Sequence, residues 1–518
     1  MTQAGEKADA LLAQFGFEHW RPGQREAVIA ALEGRDSLIV MPTGGGKSLC
    51  YQLPGLATED LTIVVSPLIA LMRDQWQRLT AAGHPVAMIS SNMDAEAVRG
   101  ALGQIRSGEA RIVYCSPERF ASNFFLEALA QRRIDLIAVD EAHCVSEWGH
   151  DFRPDYLRLP QIADRLGRPT VMACTATATK PVAAEIASRF GMRDPLQVRS
   201  GFDRPNLSFD VVPLEGKGSK ARRLALLEAG LADPANRPAI VYCGTRKDTE
   251  ELVAALREAG RPALAYHAGM EAEARSSVQQ RFMDGEVDTI AATNAFGMGV
   301  DKADVRSVWH MTIPTSVEAY YQEAGRGGRD GQPARAVLLA MKMDLGRLVR
   351  FNEQRAGDPE LAIAHERGWR AYHAIKAFIY SEKCRRRSLL DHFGDREAGA
   401  PLERCCDVCD ARDWLPDPET IAVRRPARAG GGSAAPAPDL SAADAPLFEA
   451  LKAWRLGAAA GKPAYTVANN RTLGAIAAIR PDSETALIEI SGVGPSFISK
   501  YAAEVLAIVA EHPAALAA

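Results

Sequence analysis

This 518-residue chain has no large excess of one charge, no long apolar run and no even scatter of cysteines. No stretch reaches 18 unbroken apolar residues, which argues against a membrane-spanning helix. The N-terminus, Met1 to Phe17, carries Glu6, Lys7 and Asp9 and lacks an apolar core of signal-peptide length, so a soluble, cytoplasmic protein is expected. Lys and Arg number 61 against 65 Asp and Glu, a net charge of −4, which excludes a blanket electrostatic binder of polyanions. With 47% hydrophobic and 24% charged residues, the composition is that of a folded rather than a disordered chain. The length calls for several domains.

The nine cysteines are unevenly placed. Even scatter would put fewer than one in the window Cys384–Cys409, which holds four. Cys50, Cys115, Cys144, Cys174 and Cys243 are isolated, mostly within apolar runs, and read as buried thiols of a reducing interior. The cluster reads as a metal site rather than a disulfide framework.

From residue 36 to about 341, short β-branched runs alternate with helical stretches. The first series is Ser37–Val40, Leu61–Ser66, Arg111–Cys115, Ile134–Val139 and Thr170–Cys174. The second is Ala239–Cys243, Ala263–Tyr266, Thr289–Ala292, Val305–Met311 and Ala334–Ala340. Such runs predict two tandem α/β domains with parallel sheets, divided near Ser200–Asn206. The expected limits are 1–203 and 204–342, followed by a helical module over 343–412. Residues 413–446 read as a linker, since Pro416 to Pro446 contains six Pro, three Gly and nine Ala. A small all-α domain is expected over 447–518, with Leu447, Phe448, Leu451 and Trp454, then Ile498, Tyr501, Val505 and Val509, at helical spacing.

Directly after the first strand comes Met41-Pro42-Thr43-Gly44-Gly45-Gly46-Lys47-Ser48. Consecutive glycines let backbone N–H groups turn toward phosphate oxygens, and the next helix adds its N-terminal dipole. Lys47 is placed to meet the β/γ-phosphates and Ser48 a Mg²⁺. The strict phosphate-loop pattern would have glycine where Met41 stands. The run Ile134–Val139 ends in Asp140-Glu141-Ala142-His143, with two carboxylates at the tip of a buried strand. Asp140 suits Mg²⁺ binding through water, and Glu141 suits orienting or deprotonating an attacking water. The second domain lacks a phosphate loop but carries Gln322-Glu323-Ala324-Gly325-Arg326-Gly327-Gly328-Arg329. Arg326 and Arg329 on a glycine-rich turn suit insertion toward a γ-phosphate in the neighbouring domain.

Together these residues resemble the superfamily 2 helicases, and further segments resemble the RecQ family of ATP-dependent DNA helicases. Leu12–Gln24 is similar to that family's adenine-reading motif, which implies that Gln24 pairs with the adenine edge while Phe17 and Arg21 pack on its faces. Thr43–Ser48, with Thr43, Gly44, Gly46, Lys47 and Ser48 around the phosphates, resembles motif I; Asp140–His143 resembles motif II, Thr175–Thr177 motif III, Thr293–Asp301 motif V and Gln322–Arg329 motif VI. Ser66–Leu68 and Ser116–Glu118 resemble DNA-contact motifs of the first domain. The segment Ser146–Pro154 resembles the aromatic-rich loop that senses single-stranded DNA and couples it to hydrolysis. Trp148 and Phe152 offer stacking surfaces, and Arg153 a phosphate or cation–π contact; His150 lies among them. The resemblance implies two RecA-like domains, ATP and Mg²⁺ as cofactors, 3′→5′ movement on single-stranded or 3′-tailed DNA, and a part in DNA repair and recombination, near the nucleoid if the source is bacterial.

In the cysteine module, Cys384 opens a Cys-Arg-Arg-Arg helix, and Cys405, Cys406 and Cys409 complete a set suited to tetrahedral Zn²⁺. The commoner RecQ spacing would put the second ligand at Glu403; an adjacent Cys-Cys variant also occurs, and on that resemblance Cys405 is taken as a ligand. Arg385–Arg387 is expected to form a local basic face. Residues 447–512 resemble the HRDC domain, whose Ile490–Pro495 turn, with Lys500 and Tyr501 beyond, suits DNA or a protein partner alike. Family members usually carry a winged-helix domain between these modules; only the 37 residues 410–446 are available, with Arg424, Arg425 and Arg428 their basic cluster. That leaves an alternative: a DNA-stimulated translocase or remodeller with weak strand separation.

Overall fold

The structure, a computed structural model, describes residues 3–42, 44–146, 151–297, 302–358, 361–423, 444–459, 467–468, 470–488, 490, 493 and 495–512. They fall into two compact units, Met1–Val423 and Arg424–Ala518.

The first unit contains two parallel sheets. Strands β1 (Ser37–Val40), β2 (Leu61–Val65), β3 (Val86–Ile89), β4 (Ile112–Cys115), β5 (Ile134–Val139), β6 (Thr170–Thr175) and β7 (Leu196–Arg199) form a seven-stranded sheet in the order β3-β4-β2-β5-β6-β1-β7. Strands β8 (Leu207–Leu214), β9 (Ala239–Tyr242), β10 (Leu264–Tyr266), β11 (Thr289–Ala292), β12 (Ser307–His310) and β13 (Ala334–Met341) form a six-stranded sheet in the order β10-β11-β9-β12-β13-β8. Every pairing is parallel, so both sheets need covering on two faces, and the central strands are buried along their whole length. This is the doubly wound, RecA-like architecture expected from the sequence.

Strand β3 and the edge strands β7 and β8 were not expected. Strand β8 escaped notice because Asp210 and Pro213 interrupt its apolar pattern. Asp210 is fully buried there, and Arg404, far along the chain, supplies its counter-charge at 2.8 Å. The outer edge of β8 is not left open: Phe209 N donates to Cys405 O (3.1 Å), and Asp407 N to Phe209 O (3.3 Å). The cysteine segment thereby extends the second sheet.

Helices Lys342–Glu353, Ala362–Ile379 and Arg385–Phe393 follow the second sheet, the last capped by Cys384. Ile375, Phe378, Leu389 and Phe393 are buried with Tyr320 and Tyr321 in a core that also contains Phe202 of the segment joining the sheets. Phe202 stacks on Phe393 at 4.3 Å. The stretch read as a linker is not uniform. Leu415 is buried against the second sheet, Trp414 lies edge-on to Trp309 at 5.8 Å, and Arg335 sits 4.3 Å over the Trp414 ring. A few large side chains anchor this stretch although its composition is that of a loop.

The second unit has helices Ala445–Ala458, Asn470–Ile479, Glu484–Ile488 and Pro495–Glu511 around Leu447, Leu451, Ile476, Leu487 and Val505. Trp454 Nε1 donates to Glu504 at 2.6 Å. Residues 491, 492 and 494 of the Ile490–Pro495 turn lie outside the described residues. Among the described residues, no helix is long and apolar enough to cross a membrane.

Candidate nucleotide site and cysteine cluster

The phosphate loop leaves β1 at the C-terminal edge of its sheet, where Met41 N still bonds Thr175 O of β6 (3.1 Å). Gly44 and Gly46 have φ of 81° and 80°, a left-handed conformation that glycine adopts without strain. A Cβ on Gly46 would also collide with the Gln24 side chain. Gly46 heads the helix Lys47–Leu56, and Lys47 Nζ donates to Met41 O (3.0 Å) and Pro42 O (3.3 Å), which holds its ammonium within the loop. Ser48 is half-buried one residue further on, while Thr43 lies outside the described residues.

The expected adenine-reading residues converge on the same loop. Gln24 Nε2 donates to Gly46 O (3.1 Å), its Oε1 accepts from Arg21 N (2.9 Å), and the Arg21 guanidinium donates to Gly44 O. Phe17, four residues before Arg21, is half-exposed. Asp9 accepts from Trp20 Nε1 (2.8 Å) and from Arg25 (2.8–2.9 Å), clamping the first helix to this motif. Those bonds, Arg25's first, lower the Asp9 pKa to about 2.

Asp140 and Glu141 are both buried just beyond β5. Asp140 N donates to Val65 O (2.8 Å), and Tyr156 Oη donates to Asp140 O (3.0 Å), so the acidic tip is fixed through its backbone. Glu141 takes a φ of 48°, unusual for a side-chain-bearing residue. Burial, then the charge of Glu141, raises the Asp140 pKa to about 7, with Lys47 opposing. His143 Nδ1 lies 2.9 Å from Thr175 Oγ1 and 3.3 Å from Glu141, connecting the acidic motif to the end of β6. Burial opposes a charge on His143, but Cys144 and Glu141 outweigh it and raise its pKa to about 10.

The second sheet brings its arginine turn to this loop: a Cβ on Gly44 would stand 3.8 Å from Arg329 Cγ. Arg326 is buried beside Gly297. Arg204 holds the turn from below, donating to the carbonyls of Gly325 (3.2 Å), Gly327 (2.9 Å) and Gly328 (3.0 Å), and Asn206 adds a bond to Gly328 O (2.7 Å). Sequence reasoning missed both residues; they sit at the domain junction, far from the turn they support, and carry no local pattern.

Phe152 and Arg153 follow the acidic motif. Arg153 bonds Asp151 at 3.1 Å, and the Arg367 guanidinium lies 5.8 Å from the Phe152 ring. Trp148 and His150 lie outside the described residues. Asp151 also gathers with His143 and Cys144, their ligand atoms within 4.8 Å of one another, but Arg153 already neutralises its carboxylate.

Cys384, Cys405, Cys406 and Cys409 place their sulfurs within 4.8 Å of one another. Cys384 Sγ is 3.5 Å from Cys405 Sγ and 3.9 Å from Cys406 Sγ. Arg387 N donates to Cys384 Sγ and Arg385 N to Cys406 Sγ, each at 3.4 Å. Burial raises the Cys384 pKa, but the Arg387 N–H and the neighbouring thiols outweigh it and lower the value. Burial and the Cys384 sulfur push Cys405 up, and Cys409 to about 12. Four thiols crowded so that their protons compete make a donor set that fits a thiophilic cation.

The expected basic face at Arg385–Arg387 is corrected. Arg385 is buried on Asp407 (3.0 and 3.1 Å), and Arg386 is buried on Asp203 (2.6 and 2.5 Å). Arg387 pairs with Asp391 (2.8 Å). Desolvated guanidinium groups need carboxylate partners, so two of these arginines serve the interior rather than a polyanion. Arg424, Arg425 and Arg428 lie outside the described residues.

Two parallel-sheet domains, with a phosphate loop on one and an arginine turn from the other reaching it, define the class: a tandem RecA-like protein of the DEAD/DEAH-box type. The model of the DEAD/DEAH box helicase matches residues 21–186, the helicase conserved C-terminal domain 211–331, the RecQ zinc-binding domain 342–410 and the HRDC domain 444–509. The chain belongs to the RecQ family. It is 38% identical to the ATP-dependent DNA helicase RecQ of Haemophilus influenzae, over 77% of this chain and 62% of that protein. With the RecQ of Bacillus subtilis it shares 37% identity over 78% of this chain and 67% of that protein. With a putative ATP-dependent DNA helicase Q1 of Caenorhabditis briggsae it shares 34%, over 82% and 68%. The chain thus spans about three fifths of the length of the first relatives it matches. Among solved structures, the DEAD-box helicase Mss116 bound to single-stranded RNA shares the fold with a TM-score of 0.55 at 18% identity, covering 68% of this chain and 76% of that one.

Proposed function

We propose that the chain is an ATP-dependent DNA helicase that couples hydrolysis to 3′→5′ translocation on single-stranded DNA and to duplex unwinding, in DNA repair and recombination. The approach of Arg329 to Gly44 carries this reading, because a nucleotide on the loop would then be enclosed by groups from both domains. Gln24, Arg21 and Phe17 recognise adenine; Thr43, Gly44, Gly46 and Lys47 hold phosphates. Ser48 and Asp140 are the residues that would hold Mg²⁺, which neutralises phosphate charge when bound. Glu141 orients and deprotonates the attacking water. Arg329 and Arg326 stabilise charge developing on the γ-phosphate. Trp148, His150, Phe152 and Arg153 report bound DNA to the acidic motif, which they follow directly in sequence.

Domains are assigned to 1–203, 204–342, 343–412 and 447–518, joined by the linker 413–446. Cys384, Cys405, Cys406 and Cys409 would hold Zn²⁺, whose bonds would fasten the segment extending β8. DNA, chiefly single-stranded or 3′-tailed, is the proposed partner, with proteins engaged through the HRDC domain and a location in the cytoplasm or at the nucleoid. ATPase and unwinding assays on single-stranded, 3′-tailed and 5′-tailed DNA test the reading. Stimulation by single strands and unwinding of the 3′-tailed substrate alone are expected; no stimulation by any DNA would overturn it. The brevity of 410–446 favours a second reading, translocation with weak strand separation, which the same assays recognise as stimulation without unwound product.

A further inference from the structure

A cavity of about 550 Å³, the size of a small-molecule site, opens at the end of the second sheet where β8 and β13 begin. None of the residues lining it belongs to the nucleotide site or to the cysteine ligands. Ser208 and Arg335 are register partners on those two strands, so both side chains leave the sheet on one face. Arg306 and Asp330, from the segments leading into β12 and β13, and Arg404 of the cysteine segment add to the walls.

The charges here are mostly paired. Asp330 takes Arg306, Asp304 takes Lys302 at 3.0 Å, and the buried Asp210 takes Arg404 at 2.8 Å. Arg335 is left over. It is half-buried, and among the described residues its guanidinium makes no hydrogen bond or ion pair; its contact is the Trp414 ring, 4.3 Å away. Burial depresses its pKa, with the charge of Asp210 opposing. By contrast, the buried Arg223, Arg385 and Arg386 have carboxylates at 2.6, 3.0 and 2.5 Å. Ser208, only 4% exposed, has a hydroxyl that also lacks a partner among the described residues. The remaining carboxylate of the lining, Glu403, is exposed.

We propose that this cavity binds a small oxyanion, a carboxylate or phosphate group, on the N–H groups of Arg335 with the Ser208 hydroxyl beside it. Trp414 covers a face of the guanidinium, whereas the N–H groups lie in its plane and form a fork that matches two oxygens of such a group. A cationic ligand would meet an unneutralised guanidinium, and an apolar one would leave Arg335 and Ser208 without partners. Glu403 opposes the anion by like charge and so tunes its affinity. The site also adjoins the arginine turn. Asn206 and Gln332 line the same cavity, and Asn206 Nδ2 donates to Gly328 O (2.7 Å) and Gln332 O (2.8 Å). An occupant therefore rests against the back of the turn that carries Arg326 and Arg329, and restrains it.

Isothermal titration calorimetry on the full chain with zinc bound, at constant ionic strength, tests the site with inorganic phosphate and with acetate. Phosphate also suits the nucleotide loop, so the titrations are run in Lys47→Ala, where binding in the cavity should persist. Arg335→Gln on that background should weaken it roughly 10- to 100-fold, through loss of charge-assisted hydrogen bonds. Glu403→Gln should tighten it several-fold, at an exposed position where misfolding is not a concern. If Arg335→Gln melts early for want of its Trp414 contact, Glu403→Gln decides alone. Hydrogen exchange over residues 328–332 should slow when the anion is bound. Binding of phosphate alone or acetate alone would support the site and name the group. No binding of either would overturn it. Binding that both substitutions leave unchanged would mark an adventitious ion only, and would overturn it as well. Binding through Arg335 with unchanged exchange over 328–332 would overturn the restraint on the turn.

Discussion

Arg386 forms a two-point ion pair with Asp203, its Nε and terminal nitrogen 2.6 and 2.5 Å from the two carboxylate oxygens. Asp203 belongs to the segment between the two sheets, and Arg386 to the first turn of the helix capped by Cys384. The other end of that helix presses Phe393 on Phe202, and Asp395, just beyond it, accepts a bond from Phe202 N at 2.6 Å. The cysteine module therefore grips the junction about which the two sheet domains would have to turn. Domain movement and the integrity of the cysteine cluster become linked through one buried pair.

Removing Arg386 leaves Asp203 with Gly399 N (2.7 Å) as its remaining partner outside its own segment among the described residues. Breaking a buried pair in this way costs about 3–5 kcal/mol. Arg386→Ala should lower the urea midpoint accordingly, with Phe393 and the cysteine cluster loosening first in hydrogen exchange. A loss under about 1 kcal/mol, the size of a surface pair, would show that the junction is held by packing alone.

Arg329 and Arg326 should separate in kinetics. The stem of Arg329 stands beside Gly44, so Arg329→Ala should reduce DNA-stimulated turnover about 10³-fold or more, the worth of an arginine finger, with little change in ATP affinity. Arg326 is buried beside Gly297, so Arg326→Ala should also lower thermal stability. Equal turnover losses with unchanged stability in both variants would assign the two arginines the same role. In the same series, Lys47→Ala should abolish turnover and leave the melting profile intact.

The cysteine cluster should bind one zinc per chain through four sulfurs. The placement of Cys405 Sγ 3.5 Å from Cys384 Sγ favours Cys405 over Glu403 as second ligand. Cys405→Ala should therefore lose zinc while Glu403→Gln retains it, measured by colorimetric metal release. Because Cys405 O and Asp407 N bond Phe209 along β8, chelation should also expose the edge of the second sheet to hydrogen exchange. Retention of zinc by Cys405→Ala would transfer the ligand role elsewhere.

What the sequence disclosed and what it hid divides by distance along the chain. The phosphate loop, acidic tip and arginine turn were legible because each is a short run whose own residues set its geometry. The central strands were legible because burial on both faces makes them continuous apolar runs, as in Ala239–Tyr242. Asp210 hid β8 and Arg385 and Arg386 looked like a basic face for one reason: the counter-charges lie on other segments. Asp210 pairs with Arg404, Arg386 with Asp203, and Arg385 with Asp407. A buried charge is indistinguishable from a surface charge until its partner is in place. Arg204 and Asn206 were hidden in the same way, since they act through carbonyls of a turn more than a hundred residues away.

Asp9 offers a test of how the adenine-reading motif is held. Its bonds to Arg25 and Trp20 lower its pKa from the ordinary 3.8 to about 2. A depressed carboxylate contributes stability that is fully present above the unfolded value and lost as pH falls through the folded one. The stability difference between wild type and Asp9→Asn should therefore be constant above about pH 5 and shrink between about pH 4 and 2. Near neutral pH the substitution should slacken Trp20 and Arg25, on either side of Gln24, without touching Lys47 or Asp140. The KM for ATP should then rise several-fold while kcat holds and the KM for a nucleotide without adenine stays put. A fall in kcat with an unchanged KM would place the effect of this clamp on the chemical step instead of on the base.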